Sequence, residues 1–359
     1  MKKLNILFVN LLAFLLFFIG GSIVTVASTQ NAGVGYSVQK ISPEGAQVSE
    51  ASSYYDLLVT PGETRTIQAR IQNSEAEEIS VHSDIFTTYT NANGEISYTS
   101  QPEKYDSSLK FKVSDFSTIV ASDIDATIAP NSSEVVTVEI KIPNNIPDGV
   151  YLGSWYFLKD GQDETTSSSE GISINNMYSY AMAIKLTVNK EIEAPNMNLL
   201  NITTGLNNYR KVINANLQND QAAVLSNLTV SAEVMKRGEY EVLYSNEISG
   251  LIMAPNSNYS FPVFYNDEPM EAGRYTMNVK ATTTDPKWAE KTWEWTEDFT
   301  ITENEVREYS SKAINDPEVE ESNWTWLIIL LIVILIILLL ILLFVLYRRK
   351  KKKEEEQDR

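Results

Sequence analysis

Thr64 to Asn73 reads TRTIQARIQN, and this stretch decides the fold. Ile67, Ala69 and Ile71 alternate with Thr66, Gln68 and Arg70, a period of two that fits an extended strand with one buried face. Upstream, Tyr54 to Val59 runs into Thr60-Pro61-Gly62-Glu63, a type II turn signal, because Pro presets one central φ and Gly accepts the positive φ of the next. Downstream, Ile79 to Thr90 ends at Asn91-Ala92-Asn93-Gly94, a hairpin signal, and Glu95 to Thr99 returns. Val135 to Ile142 and Val150 to Leu158 read as further strands. Long helical periodicity is absent between Gly35 and Thr302. The pattern predicts an all-β protein: two tandem immunoglobulin-like antiparallel β-sandwiches, with one C-terminal transmembrane α-helix.

The opening stretch has an echo. Gln68-Ala69-Arg70-Ile71-Gln72-Asn73 resembles Asn214-Ala215-Asn216-Leu217-Gln218-Asn219. Ala129-Pro130-Asn131-Ser132 returns as Ala254-Pro255-Asn256-Ser257, and Gly149-Val150-Tyr151 as Gly273-Arg274-Tyr275. Three landmarks in one order imply two copies of one topology. Asn73 to Pro130 spans 57 positions, but Asn219 to Pro255 only 36, so the first copy carries 21 extra residues between Ser74 and Ile128. Insertions on rigid scaffolds often carry binding function. This one holds Tyr89, Tyr98 and Tyr105, the candidate binding residues, although each tyrosine singly also suits core packing or loop filling.

The ends set the expected topology. Residues 1–27 read as a signal peptide: Lys2 and Lys3, an apolar stretch, then Gly20-Gly21-Ser22 and the small residues before Ser28. Leu327 to Leu346 is a run of 20 apolar residues, about 30 Å as a helix, which matches a bilayer core. Trp324, Trp326 and Tyr347 flank it, and the six cations from Arg348 to Lys353 favour a cytoplasmic tail. The expected domains are therefore 35–159 and 172–302, joined by a linker or loop at 160–171. An acidic stalk at 303–323, a transmembrane helix at 324–347 and a basic tail at 348–359 follow. A short helix interrupted at Asp316-Pro317 is the alternative for the stalk.

Composition excludes several chemistries. The chain of 359 residues has 29 Lys or Arg against 47 Asp or Glu, no Cys and one His. Disulfides, thiolate nucleophiles and clustered-His metal sites are excluded, and nucleic acid is a poor partner for so acidic a chain. His82 sits in an expected strand, where a structural role is the default. Asp123 and Asp125, or Asp160, Asp163 and Glu164, lack EF-hand spacing. Trp293 and Trp295 share parity with Phe299 and Ile301 and read as core packing. No cofactor, metal or catalytic constellation is expected.

Ser53-Tyr54-Tyr55-Asp56-Leu57-Leu58 with Pro61-Gly62-Glu63, and Ile142-Pro143 leading to Asp148-Gly149-Val150 and Gly153, resemble the peptidoglycan-binding domain of WxL-interacting proteins. Val212 to Asn219, Met253 to Ser257, Ala272 to Tyr275 and Phe299 to Ile301 are similar to the host-binding domain of that family. The resemblance implies a Gram-positive cell-surface protein with peptidoglycan, WxL-domain surface proteins and host matrix proteins as partners. It supplies no catalytic residues. A structural or signalling partner without wall affinity, and a wall glycan hydrolase, are the competing readings. Exposed strand edges could also pair with a partner strand.

Overall fold

The structure is a computed structural model that describes residues 35–43, 48, 52–160, 178–192, 194–265, 268–314 and 330–335. The expected signal peptide, the basic tail and most of the expected membrane segment lie outside the described residues. No helix among the described residues is long and apolar enough to cross a membrane. The chain divides into two compact units.

Unit 1 runs to Asn196 and includes the turns 219–225 and 252–258. Its first sheet orders four strands as β1-β3-β9-β7: β1 (Tyr36–Ile41), β3 (Thr64–Asn73), β9 (Ser133–Lys141) and β7 (Ser117–Ile119). Its second orders five as β2-β11-β10-β4-β8: β2 (Tyr55–Val59), β11 (Ser179–Val188), β10 (Gly149–Lys159), β4 (Ile79–Thr87) and β8 (Asp125–Ile128). The pairs are antiparallel except β2 with β11, which is parallel; this corrects the purely antiparallel expectation. Strands β10 and β11 are neighbours in register, so the segment between them connects two strands of one sheet.

The alternation in β3 puts Ile67, Ala69 and Ile71 in one core with Tyr55, Ile140, Trp155, Phe157, Ile184 and Leu186 from both sheets. Each large apolar side chain so buried contributes about 1.5–3 kcal/mol relative to exposure. Trp155 faces this core and Tyr156 the opposite side, as strand parity requires. Tyr55 is wholly buried, yet its hydroxyl donates to Gln68 O at 2.6 Å. The turn at Pro61-Gly62 forms, with Gly62 at φ 81° and Glu63 N–H donating to Thr60 O. Val150 N–H donates to Ala222 O at 2.7 Å, which ties the turn 219–225 into the unit.

Unit 2 comprises residues 197–218, 226–251 and 259 onward. The later strands form two sheets. One orders β12 (Met197–Asn207), β13 (Arg210–Asn219) and β16 (Ser257–Phe264). The other orders β15 (Val242–Met253), β14 (Leu225–Lys236), β17 (Gly273–Thr283) and β18 (Lys291–Ile301) as β15-β14-β17-β18. Pro262 sits in an edge strand, where proline is tolerated. Trp293 and Trp295 are half-buried on β18, not sealed in a core as expected.

The sequence repeat is a structural one. Tyr151 OH donates to Pro147 O and Tyr275 OH to Glu271 O, each four residues back. Asn131 and Asn256 both adopt left-handed φ, 50° and 49°, a region Asn tolerates. Past Thr302, the first part of the expected stalk is a helix, α1 (Glu303–Lys312). A capping box explains it: Thr302 accepts from Glu305 N–H, and the Glu305 carboxylate accepts from Thr302 N–H.

Candidate functional site

The insertion packs on unit 1 through its own tyrosines. Two-residue strands β5 (Tyr89–Thr90) and β6 (Ile96–Ser97) form the expected hairpin. Asn91 Oδ1 closes its turn, accepting from Asn93 and Glu95 N–H, and Gly94 takes φ 73°. Tyr105 OH donates to Thr87 O at 3.0 Å, and Lys112 Nζ stands 5.3 Å from the Tyr105 ring centre. The Tyr98 carbonyl accepts from Ser154 Oγ at 2.5 Å. Tyr89 is half-exposed, its hydroxyl 3.0 Å from Ser100 Oγ.

Burial raises the Tyr98 phenol pKa, and the nearby Tyr54 adds to it. Burial also raises that of Tyr105, with Asp115 and Tyr89 adding to it. In the β5–β6 hairpin Tyr89 pairs with Ser97, the residue before Tyr98. Gly153 permits close approach here: a Cβ on it would meet Val113 Cγ1 at 2.6 Å and Phe86 O at 2.9 Å.

Beside the insertion lies the outer face of the five-stranded sheet. On β4, Ser80, His82, Asp84 and Phe86 point away from the core, and on β10 so do Ser154 and Tyr156. The Phe86 and Tyr156 rings meet at 5.4 Å between centres, tilted by 40°. Both are half-buried, so part of each ring is open to solvent. Ser154, which holds the Tyr98 carbonyl, pairs directly with Phe86. The insertion thus borders an aromatic pair that the sequence reading missed. The signal was parity: Trp155 in the core obliges Tyr156 to face out.

His82 completes this face. Its Nδ1 is 2.5 Å from Asp125 Oδ1 on β8, and its Nε2 is 3.2 Å from Asp84 Oδ2. The hydrogen bond to Asp125 raises the imidazole pKa most, modest burial opposes it, and the Asp84 charge adds to the rise. Asp123 is likewise engaged, accepting from Thr137 N–H at 2.8 Å. No group of three or more potential metal ligands converges among the described residues.

Comparison with known proteins names this architecture. The family model described as WxL Interacting Protein, peptidoglycan binding domain, matches residues 36–159. The model described as WxL Interacting Protein, host binding domain, matches residues 169–311. No curated protein matches. Among solved structures, the Pseudomonas aeruginosa CupB2 chaperone is 11% identical at TM-score 0.26, over 67% of this chain and 96% of its own. The Acinetobacter baumannii CsuC–CsuE chaperone–tip subunit complex gives 12% and 0.29, over 66% and 93%. TM-scores this low settle neither topology nor function. Both matched domains are binding domains, and in that order they identify the chain: it belongs to the WxL-interacting protein family and is a cell-surface binding protein.

Proposed function

We propose that this chain is a membrane-anchored Gram-positive surface scaffold whose first unit contacts peptidoglycan. In this reading the Phe86–Tyr156 pair supplies the sugar-facing surface. Aromatic faces stack on the apolar faces of sugar rings, and the neighbouring exposed Asp84 offers a hydrogen-bonding carboxylate. Tyr98 and Tyr105 act by fixing the insertion beside that surface, and Tyr89 borders it. The observation that carries the proposal is the half-open Phe86–Tyr156 pair within the segment matched by the peptidoglycan-binding model.

The same reading gives the later strands the host-facing role, with matrix proteins and WxL-domain surface proteins as partners. The apolar run Leu327 to Leu346 anchors the protein, the residues before it lead away from the bilayer, and the tail from Arg348 stays inside. Tethering raises the effective concentration of wall sites, so weak individual contacts suffice. The test is retention of the full-length chain on purified wall, with a WxL-domain protein and matrix proteins as separate baits. Loss of wall retention on substituting Phe86 and Tyr156 together, with unfolding unchanged, supports the role given to this face. Absence of retention by the unaltered chain refutes the peptidoglycan assignment.

A further inference from the structure

Strand β3 is longer than its partner on one side. On the β9 side its pairing runs from Thr64 to Gln72. On the β1 side it begins only at Gln68, which faces Ile41. Thr64 to Ile67 therefore have no strand beside them on that edge among the described residues. The reason is in the sequence. Continuing the register places Pro43 opposite Thr66, and proline has no N–H to donate.

The direction of the free groups follows from the far side of β9. Lys141 N–H donates to Phe116 O, and Thr137 O accepts from Val120 N–H, so Lys141 and Thr137 turn their main-chain groups away from β3. In an antiparallel ladder, residues opposite such groups turn theirs outward too. Thr64 and Thr66, opposite Lys141 and Glu139, thus direct N–H and C=O into the place β1 vacates. A cavity of about 500 Å³ occupies that place, lined by Ile41, Pro43, Thr64, Arg65, Thr66 and Gln68. The Arg65 guanidinium holds Glu63 through one terminal nitrogen, while its buried Nε has no hydrogen-bond partner.

We propose that this notch binds a short extended peptide, the stem peptide of the wall polymer, as a strand added to the edge of β3. The inference rests on the peptidoglycan reading above and deepens it, since the notch lies inside the matched residues 36–159. Length selects the ligand. The four residues that lack a β1 partner among the described residues, at about 3.4 Å each, give an edge of roughly 14 Å, which suits a peptide of about four residues and is short for a protein strand. Main-chain groups of Thr64 and Thr66 read the peptide backbone.

The experiment compares retention of the full-length chain on intact purified peptidoglycan and on glycan strands stripped of peptides by an amidase, with free stem tetrapeptide as competitor. Thr66→Pro deletes the outward N–H and leaves the β9 side of the ladder intact; Thr66→Val keeps the main chain and removes the hydroxyl. Thr64→Trp, at an exposed position lining the cavity, is the second blocking variant should Thr66→Pro fail to fold. Expected results are retention on intact wall, at least tenfold weaker retention on stripped glycan, competition by the tetrapeptide, and at least tenfold loss in a folded blocking variant but not in Thr66→Val. Equal retention on intact and stripped material, or a folded blocking variant that binds the tetrapeptide normally, overturns the notch and leaves wall binding standing. Failure to bind either material overturns both.

Discussion

Asn73 and Asn219 do the same work in the two copies of the repeat. Each ends a strand, each is fully buried, and each donates its side-chain amide to the carbonyl four residues ahead: Glu77 and Ala223, both at 2.8 Å. Each also donates to the alanine of an Ala-Pro-Asn-Ser turn, Ala129 or Ala254, both at 3.1 Å. In both turns the serine hydroxyl then donates to that same alanine carbonyl. One asparagine thus stitches a strand end to a turn that lies 56 residues on in the first copy and 35 in the second.

Asn73→Ala leaves the Ile128 and Glu77 carbonyls short of a buried donor. The cost is about 1–3 kcal/mol, from the desolvation of the buried Ile128 carbonyl left unpaired, since water can replace the donor at exposed Glu77. Asn219→Ala carries a similar cost. Urea unfolding of each variant measures it, and a change under about 0.5 kcal/mol would assign these turns to backbone geometry alone.

Gly153→Val tests how the insertion is seated. A side chain there meets Val113 and the Phe86 carbonyl, so the 3-10 turn at Val113–Asp115 must lift off the sheet. The expected cost is ~1–3 kcal/mol of overpacking, together with faster proteolysis between Tyr89 and Phe111. Unchanged protease resistance there would mean that the insertion is held elsewhere.

What the sequence made legible was local. Alternation in TRTIQARIQN marked a half-buried strand, and Pro61-Gly62 and Asn91 to Gly94 marked their turns, because these signals depend on neighbouring residues. The repeat was legible because Asn73, Asn219 and the two Ala-Pro-Asn-Ser turns are constrained by one hydrogen-bond pattern. The parallel pairing of β2 with β11 was not, since it joins residues more than a hundred positions apart. Nor was the face built by Phe86 and Tyr156, which exists only once β4 and β10 are in register. The notch at Thr64 to Ile67 required knowing that Pro43 falls opposite Thr66. Tyr98 and Tyr105 were visible as aromatic residues, but their anchoring bonds to Ser154 and Thr87 were not.

His82 makes the attachment of edge strand β8 depend on pH. Its folded-state pKa is raised, chiefly by Asp125, so its stabilising contribution is fully present below the unfolded value of about 6.5 and is lost as pH rises through the folded value. From β10 the facing residues are Leu158, which does not titrate, and Tyr156 opposite Asp84. Because the site is partly exposed, the contribution is small, ~0.5 kcal/mol. His82→Gln flattens that stretch of the stability–pH curve. An unaltered curve in the variant would place the dependence on other groups.

Tyr105→Phe and Tyr156→Ala separate anchoring from contact. The first removes only the hydrogen bond to Thr87 O, at about 1 kcal/mol of stability, and keeps the ring against Lys112. Wall retention should therefore stay within twofold of the unaltered chain whenever the protein is folded. The second removes half of the Phe86–Tyr156 pair from an outward-facing position and leaves Trp155 in the core. A lost sugar-stacking contact of about 0.5–1.5 kcal/mol weakens retention by the folded variant roughly two- to twelvefold, while loss of the Phe86 ring contact lowers the unfolding midpoint as well. The reverse pattern, retention lost in Tyr105→Phe and kept in Tyr156→Ala, would move the wall contact from the sheet face to the insertion.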